Sequence, residues 1–158
     1  MTEGVIVKAL SGFYYVETGD GLLACKARGR FRLDGTSPLV GDRVRCSVDA
    51  QGQGRIEQVE ERKNWFVRPT VANIDALFFV AANSNPVTDP FLIDRVSVIA
   101  EEADCELIIC LNKTDLDAGD ELYRIFTGAG FPLIRTSAET GEGIEELRDA
   151  LRGKISAF

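Results

Sequence analysis

From the N-terminus to about residue 60, apolar and polar positions alternate in short runs that turn residues interrupt at close spacing. Residues 5–10 form the first run; Ser11-Gly12 turns the chain into 13–17. Thr18-Gly19-Asp20-Gly21 then leads into a long run from 22 to about 33, which Asp34-Gly35-Thr36-Ser37-Pro38 breaks. Val40-Gly41-Asp42 introduces 43–48, and a polar, glycine-containing loop over 49–54 returns the chain as 55–59. Short strands at this spacing predict a small all-β barrel, and five of them fit an OB-fold.

From residue 71 the pattern changes to longer elements of alternating type. Residues 74–82 read as a buried strand, and Asp89-Pro90 as an N-cap followed by proline at the first helical position. Leu92, Ile93, Val96, Ile99 and Ala100 recur at helical spacing, so that helix is predicted to run to about Ala103. A strand at 107–111 follows, then a helix over 120–129 ended by Gly130, a strand at 132–136, and a helix over 143–152 with Gly153 as its stop. Residues 154–158 begin a further strand. Strand–helix repetition of this kind predicts a parallel sheet with right-handed crossovers. The expected organisation is therefore a barrel domain at 1–60, a linker at 61–70 and a partial α/β parallel-sheet domain at 71–158. Trp65 and Phe66 are expected to pack at the junction, with an RNA-stacking tryptophan as the lesser alternative.

Composition narrows this picture little, but charge divides it. The chain has 158 residues, 45% hydrophobic and 27% charged, an ordinary globular balance. Its apolar runs fall short of the roughly 18 residues of a membrane span, and the first residues lack a basic region followed by an apolar core, so neither a membrane segment nor a secretory signal is expected. Cys25, Cys46, Cys105 and Cys110 show no CxxC pairing and there is no histidine. Reduced, buried thiols in a cytoplasmic protein are expected, and no metal site. Residues 1–70 hold 11 Lys+Arg against 9 Asp+Glu, whereas residues 71–158 hold 7 against 16. Such a change of sign suggests two domains with different partners.

Lys26, Arg28, Arg30 and Arg32 alternate with Ala27, Gly29, Phe31 and Leu33. In one continuous strand, period two places all four cations on one face. The functional reading is a track for an RNA phosphate backbone, with Phe13, Tyr14, Tyr15 or Phe31 as stacking platforms; the plainer one is a solvated strand face whose cations discourage edge pairing.

The second candidate lies in the acidic half. Leu107-Ile108-Ile109-Cys110-Leu111 is apolar throughout, as for a strand buried on both faces, and runs directly into Asn112-Lys113-Thr114-Asp115. Open α/β sheets bind ligands at the carboxyl ends of their strands. A carboxylate there can accept from guanine N1–H and its exocyclic amine together, whereas adenine presents a bare lone pair. A hydrogen bond to a charged group is worth roughly 1.5–3 kcal/mol, enough for Asp115 to separate the two purines. Asn112 is expected to hold the loop and reach guanine N7, with the Lys113 stem over the ring. Ser137-Ala138 follows the next strand, ahead of Thr140-Gly141-Glu142-Gly143. A backbone N–H near Ala138 is expected to meet guanine O6. Two such motifs in order, each after a strand, are far more specific than either alone.

These residues resemble the small ribosomal subunit-dependent GTPases called RsgA or YjeQ. The resemblance is carried by Gly12-Phe13-Tyr14-Tyr15-Val16, Cys25-Lys26-Ala27-Arg28-Gly29-Arg30-Phe31-Arg32, Val40-Gly41-Asp42-Arg43-Val44, Arg68-Pro69-Thr70-Val71-Ala72-Asn73-Ile74-Asp75 and Leu92-Ile93-Asp94-Arg95, besides the two motifs above. It implies an OB-fold ahead of a circularly permuted P-loop GTPase-like domain, in which the base-reading motifs precede the phosphate loop. It further implies magnesium-dependent GTP hydrolysis in late 30S maturation, contact with 16S rRNA, and a zinc-binding segment at the family's C-terminus. A monomer without membrane association is expected. No Gly-x-x-x-x-Gly-Lys-Ser/Thr sequence occurs, and Gly153-Lys154 is followed by Ile155. The chain is accordingly expected to be cut just before its phosphate loop, to carry no catalytic residue, and to bind no cofactor tightly. The competing expectation is a non-enzymatic RNA-binding adaptor on a degenerate GTPase-like scaffold.

Overall fold

The computed structural model describes residues 1–29, 31 and 37–158, and the chain divides into two compact units, Met1–Asn73 and Ile74–Phe158. In the first, β1 (Thr2–Leu10), β2 (Phe13–Thr18), β3 (Gly21–Ala27), β4 (Arg43–Val48) and β5 (Gly54–Val59) close a barrel in the order β1-β2-β3-β5-β4. Alternation sends Ile6, Val16, Cys25, Val44, Cys46 and Ile56 inward, each at most 1% exposed. Closure requires β3 and β5 to approach closely in parallel, and Gly54 permits it: a Cβ there would lie 2.5 Å from Cys25 Sγ. The 49–54 loop is the expected hairpin, with Asp49 Oδ1 accepting from Gln51 N–H and Gln53 N–H. None of the four cysteines forms a disulfide, and all are buried; burial and the neighbouring Cys46 thiol push Cys25 up to about 12.

The long third strand does not form as expected. β3 ends at Ala27, and Phe31 N–H donates to Arg28 C=O across a turn at Gly29. The chain turns inward there and puts Phe31 in the barrel core, 7% exposed, so Phe31 is not a stacking platform.

Residues 61–70, expected as a linker, belong to the first unit and include β6 (Trp65–Phe66), which pairs with β7 (Val71–Ala72). Two contacts distant in sequence hold the segment. Arg62 makes a forked ion pair with the fully buried Asp42, at 2.7 and 2.8 Å, and also donates to Ser37 C=O. Ala72 N–H donates to Val40 C=O, beside Gly41, where a Cβ would meet Ala72 O at 1.9 Å. Phe66 is buried; Trp65 is 58% exposed.

The second unit is built on a four-stranded, wholly parallel sheet in the order β10-β9-β8-β11, from β8 (Ala76–Ala82), β9 (Glu106–Asn112), β10 (Leu133–Arg135) and β11 (Ser156–Ala157). The helices are α1 (Pro90–Glu102), α2 (Asp120–Gly128) and α3 (Ile144–Leu151). Asp89 caps α1 by accepting from Phe91 N–H at 3.0 Å. Ile93 of α1 and Leu122 and Phe126 of α2 pack with Ala81, Ile109 and Leu111 on one face. On the other, α3 supplies Leu147, Ala150 and Leu151 against Phe78, Ile108 and Ile134. The apolar run of β9 is thus buried from both sides, while Val80 of β8 lies outside both clusters and is 51% exposed. Among the described residues no helix is long and apolar enough to cross a membrane.

Candidate functional site

β9 and β10 run parallel and end side by side, with Arg135 opposite Leu111, so the loops that follow them leave the same edge of the sheet. Thr136 N–H donates to Leu111 C=O, and Thr114 donates through both N–H and hydroxyl to Thr136 C=O, at 3.2 and 3.0 Å. These bonds bring all five predicted base-reading positions to one place. Asp115, exposed, accepts from the hydroxyl of the fully buried Ser137 at 2.5 Å. Asn112 Oδ1 accepts from Thr136 Oγ1 at 3.2 Å and from Ala138 N–H at 3.1 Å. Asn112 therefore holds the loop, as its sequence position suggests; Ala138 N–H is already engaged by it. Lys113 adopts a left-handed backbone, φ 67°, and its ammonium donates to Asn85 C=O.

The downstream loop is folded by its own short bonds. Ser137 N–H donates to Glu142 C=O, Gly141 N–H to Ser137 C=O, and Thr140 N–H to Ser137 Oγ. Gly143, at φ +71°, closes it: a Cβ would sit 1.9 Å from Arg135 O. A side chain of any size at 143 would lift this turn off the strand that positions Ser137. A carboxylate has about four acceptor positions, and Ser137 occupies one. Asp115 is thus fixed in direction while keeping acceptor capacity toward solvent.

Sequence reasoning missed three participants. Thr136, 1% exposed, joins Cys110 Sγ (3.3 Å) to Asn112. Asp117 accepts from Gly119 N–H at 2.8 Å, and this bond, with the neighbouring Asn83 amide, holds its carboxyl below the usual range. Asn85 reaches Lys113 through its backbone, which no residue pattern announces. A small polar residue just after a buried strand was the available signal for Thr136.

The expected basic track is arranged differently. Of its four members only Lys26 lies in β3, and its ammonium sits 5.0 Å from the Phe13 ring centroid. Arg28 follows the strand and pairs with Glu57 at 2.6 Å. Arg30 and Arg32 lie outside the described residues. Beside Lys26, Lys8 lies over Tyr15 at 5.4 Å, and Arg55 is opposite Lys26 in register. With Tyr14 packed against the core, alternation turns Phe13 and Tyr15 outward.

Comparison with known proteins identifies this combination of barrel and sheet. A family model described as "RsgA N-terminal domain" matches residues 3–56, and one described as "RsgA GTPase" matches residues 59–158. The chain belongs to the RsgA family. It is 42% identical over 159 residues to the small ribosomal subunit biogenesis GTPase RsgA of Caldanaerobacter subterraneus subsp. tengcongensis, covering 99% of this chain and 54% of that protein. The Thermotoga maritima protein of the same name is 43% identical over 165 residues, covering 99% and 55%. The crystal structure of YjeQ from Thermotoga maritima superposes with a TM-score of 0.83 at 39% identity, over 98% of this chain and 58% of that one. YloQ, described as a circularly permuted GTPase, gives 0.72 at 31% identity, over 96% and 56%. The fold is accordingly that of an OB-like barrel with a circularly permuted GTPase sheet, and the chain spans about half the length of these RsgA relatives.

Proposed function

We propose that these residues are the barrel and the guanine-recognition half of a GTPase that acts in late maturation of the 30S subunit. The observation that carries the reading is the joined pair of loops: Asp115 held by Ser137, and Asn112 held by Thr136 and Ala138, at the carboxyl ends of adjacent parallel strands. Guanine N1–H and its exocyclic amine fit the open acceptor positions of Asp115. Guanine O6 would share Ala138 N–H with Asn112 as a three-centre bond, and the Lys113 stem would cover the ring. The nucleotide is GTP or GDP with Mg2+ in the complete protein. The residues present here address the base, and a phosphate loop and a zinc-binding segment are read as belonging to the complete protein. Alone, the base contacts are worth ~4 kcal/mol, about millimolar affinity, and these 158 residues are expected not to hydrolyse GTP.

The barrel is read as the contact with 16S rRNA, through Lys26, Arg28, Arg30 and Arg32. Support comes from Lys26 over Phe13 on a face that also carries Lys8, Tyr15 and Arg55; cations and stacking rings together suit an RNA strand. The protein is read as a cytoplasmic monomer. Two measurements test the proposal in the full-length protein. GTP hydrolysis should rise on addition of 30S subunits, and absence of any such rise would remove the catalytic reading. Lys26→Ala should lower the salt slope of 30S binding by about one unit; an unchanged slope would remove Lys26 from the RNA contact.

A further inference from the structure

The outward face of the barrel where β1, β2 and β3 meet is built as two ring-and-lysine pairs. Alternation along β2 turns Phe13 and Tyr15 outward on either side of Tyr14, and both are half-buried. Register gives each ring a lysine from a different neighbour: Phe13 lies opposite Lys26 of β3, and Tyr15 opposite Lys8 of β1. The second pairing depends on a bulge. β1 shifts register between Ile6 and Lys8, so Val7 is passed over and Lys8 comes to face Tyr15 in its place. Both contacts form, with the Lys26 ammonium 5.0 Å from the Phe13 ring centroid and the Lys8 ammonium 5.4 Å from that of Tyr15. Arg55 of β5 continues the row beyond Lys26. Lys8, Lys26 and Arg55 are exposed, whereas Arg28 is held by Glu57 at 2.6 Å.

We infer that this face takes an unpaired, extended stretch of RNA, one base on Phe13 and the next on Tyr15, with Lys26, Lys8 and Arg55 moving to its phosphates. This rests on the reading of the barrel as an RNA contact and adds the form of RNA that fits. Two residues of a strand advance about 6.6 Å, twice the roughly 3.4 Å between stacked bases. Neighbouring bases of a helix therefore cannot lie on both rings, while those of an extended strand can. A duplex covers its base faces with one another and offers this surface only its backbone. Cations on both flanks of the rings match a phosphate on each side of the two bases. Each lysine already covers its ring in the free protein. A base that takes its place leaves no ring exposed and releases an ammonium beside the incoming phosphate. Glu17, the next outward residue of β2, bounds the site.

Two RNA probes offered to the full-length protein test this: a single strand of about twelve nucleotides without self-complementarity, and the duplex it forms with its complement. Dissociation constants are measured against salt concentration for wild type, Phe13→Leu, Tyr15→Leu, Phe13→Tyr, Tyr15→Phe and Lys26→Ala. Leucine keeps apolar bulk and removes the ring face; exchanging phenylalanine and tyrosine keeps the face. Each leucine variant is expected to bind the single strand about tenfold more weakly at an unchanged salt slope, and to bind the duplex as wild type does. A general loss of fold would weaken both probes alike. Phe13→Tyr and Tyr15→Phe should bind the single strand like wild type. Lys26→Ala should instead lower the salt slope by about 0.7, the share of one phosphate on a single strand. Wild-type affinity in either leucine variant, or an equal loss on the duplex, would overturn the stacking inference. If the rings are silent while Lys26→Ala lowers the slope, that inference alone falls and the RNA contact stands. If neither probe binds, or Lys26→Ala leaves the slope unchanged, the RNA reading of this face falls with it.

Discussion

The bond between Ser137 and Asp115 is the most direct target for perturbation, because its two ends differ in burial. Ser137 is fully buried and donates to an exposed carboxylate at 2.5 Å, while its oxygen takes Thr140 N–H at 3.2 Å. Ser137→Ala leaves a carboxylate that water can solvate. Asp115→Ala instead leaves a buried hydroxyl proton without its acceptor. A hydrogen bond to a charged group contributes about 1.5–3 kcal/mol net, and an orphaned buried donor costs about 1–3 kcal/mol. The double-mutant cycle should therefore show a coupling of about 1.5–2 kcal/mol, with Asp115→Ala the costlier single change. The readout is native-state hydrogen exchange at the Ile109 amide, which donates to Pro132 C=O in the centre of the sheet and reports opening of the second unit. A coupling below about 0.5 kcal/mol, within ordinary additivity, would mean that the bond is not formed in solution and that the carboxylate is not fixed in advance.

Three further outcomes are expected. Arg62→Met should destabilise the first unit by about 3–5 kcal/mol, because it leaves the Asp42 carboxylate buried without its cation; urea unfolding followed by Trp65 fluorescence measures it, and a loss below about 1 kcal/mol would contradict the role given to the pair. Gly143→Ala should lower the thermal midpoint much more than Gly141→Ala, since both have positive φ but only at 143 would the new Cβ strike backbone, 1.9 Å from Arg135 O; equal losses would contradict the packing. Burial raises the Cys25 thiol from 9.0 to about 12, so the fold favours the neutral form. That stabilisation is fully present below pH 9 and is lost as pH rises from 9 toward 12, with no counterpart on the acid side. A urea titration should show the alkaline decline in wild type and a smaller one in Cys25→Ala.

Local pattern reached some of these features and not others. β9 was legible because five consecutive apolar residues have one economical use, a strand covered on both faces, and α1 because Asp89-Pro90 is a complete helix start. β3 was overextended: the alternation through Lys26, Arg28, Arg30 and Arg32 keeps period two, but the turn from Arg28 to Phe31 sends the aromatic ring into the core. The 61–70 segment reads as a connector because the contacts that hold it, Arg62 to Asp42 and Ala72 to Val40, span twenty residues or more. At the base-reading site, Asn112, Lys113, Asp115, Ser137 and Ala138 were legible as residues in order after strands. What holds them, Thr136 from below and Asn85 from the side, was not, because it depends on which strands end next to each other.

The central claim is that one carboxylate at the rim of the sheet chooses the purine. Calorimetric titration of the full-length protein with GDP and with ADP tests it most directly. ADP should bind about a hundredfold more weakly or worse, since it loses two bonds to a charged group. Equal affinity for the two nucleotides would contradict the account.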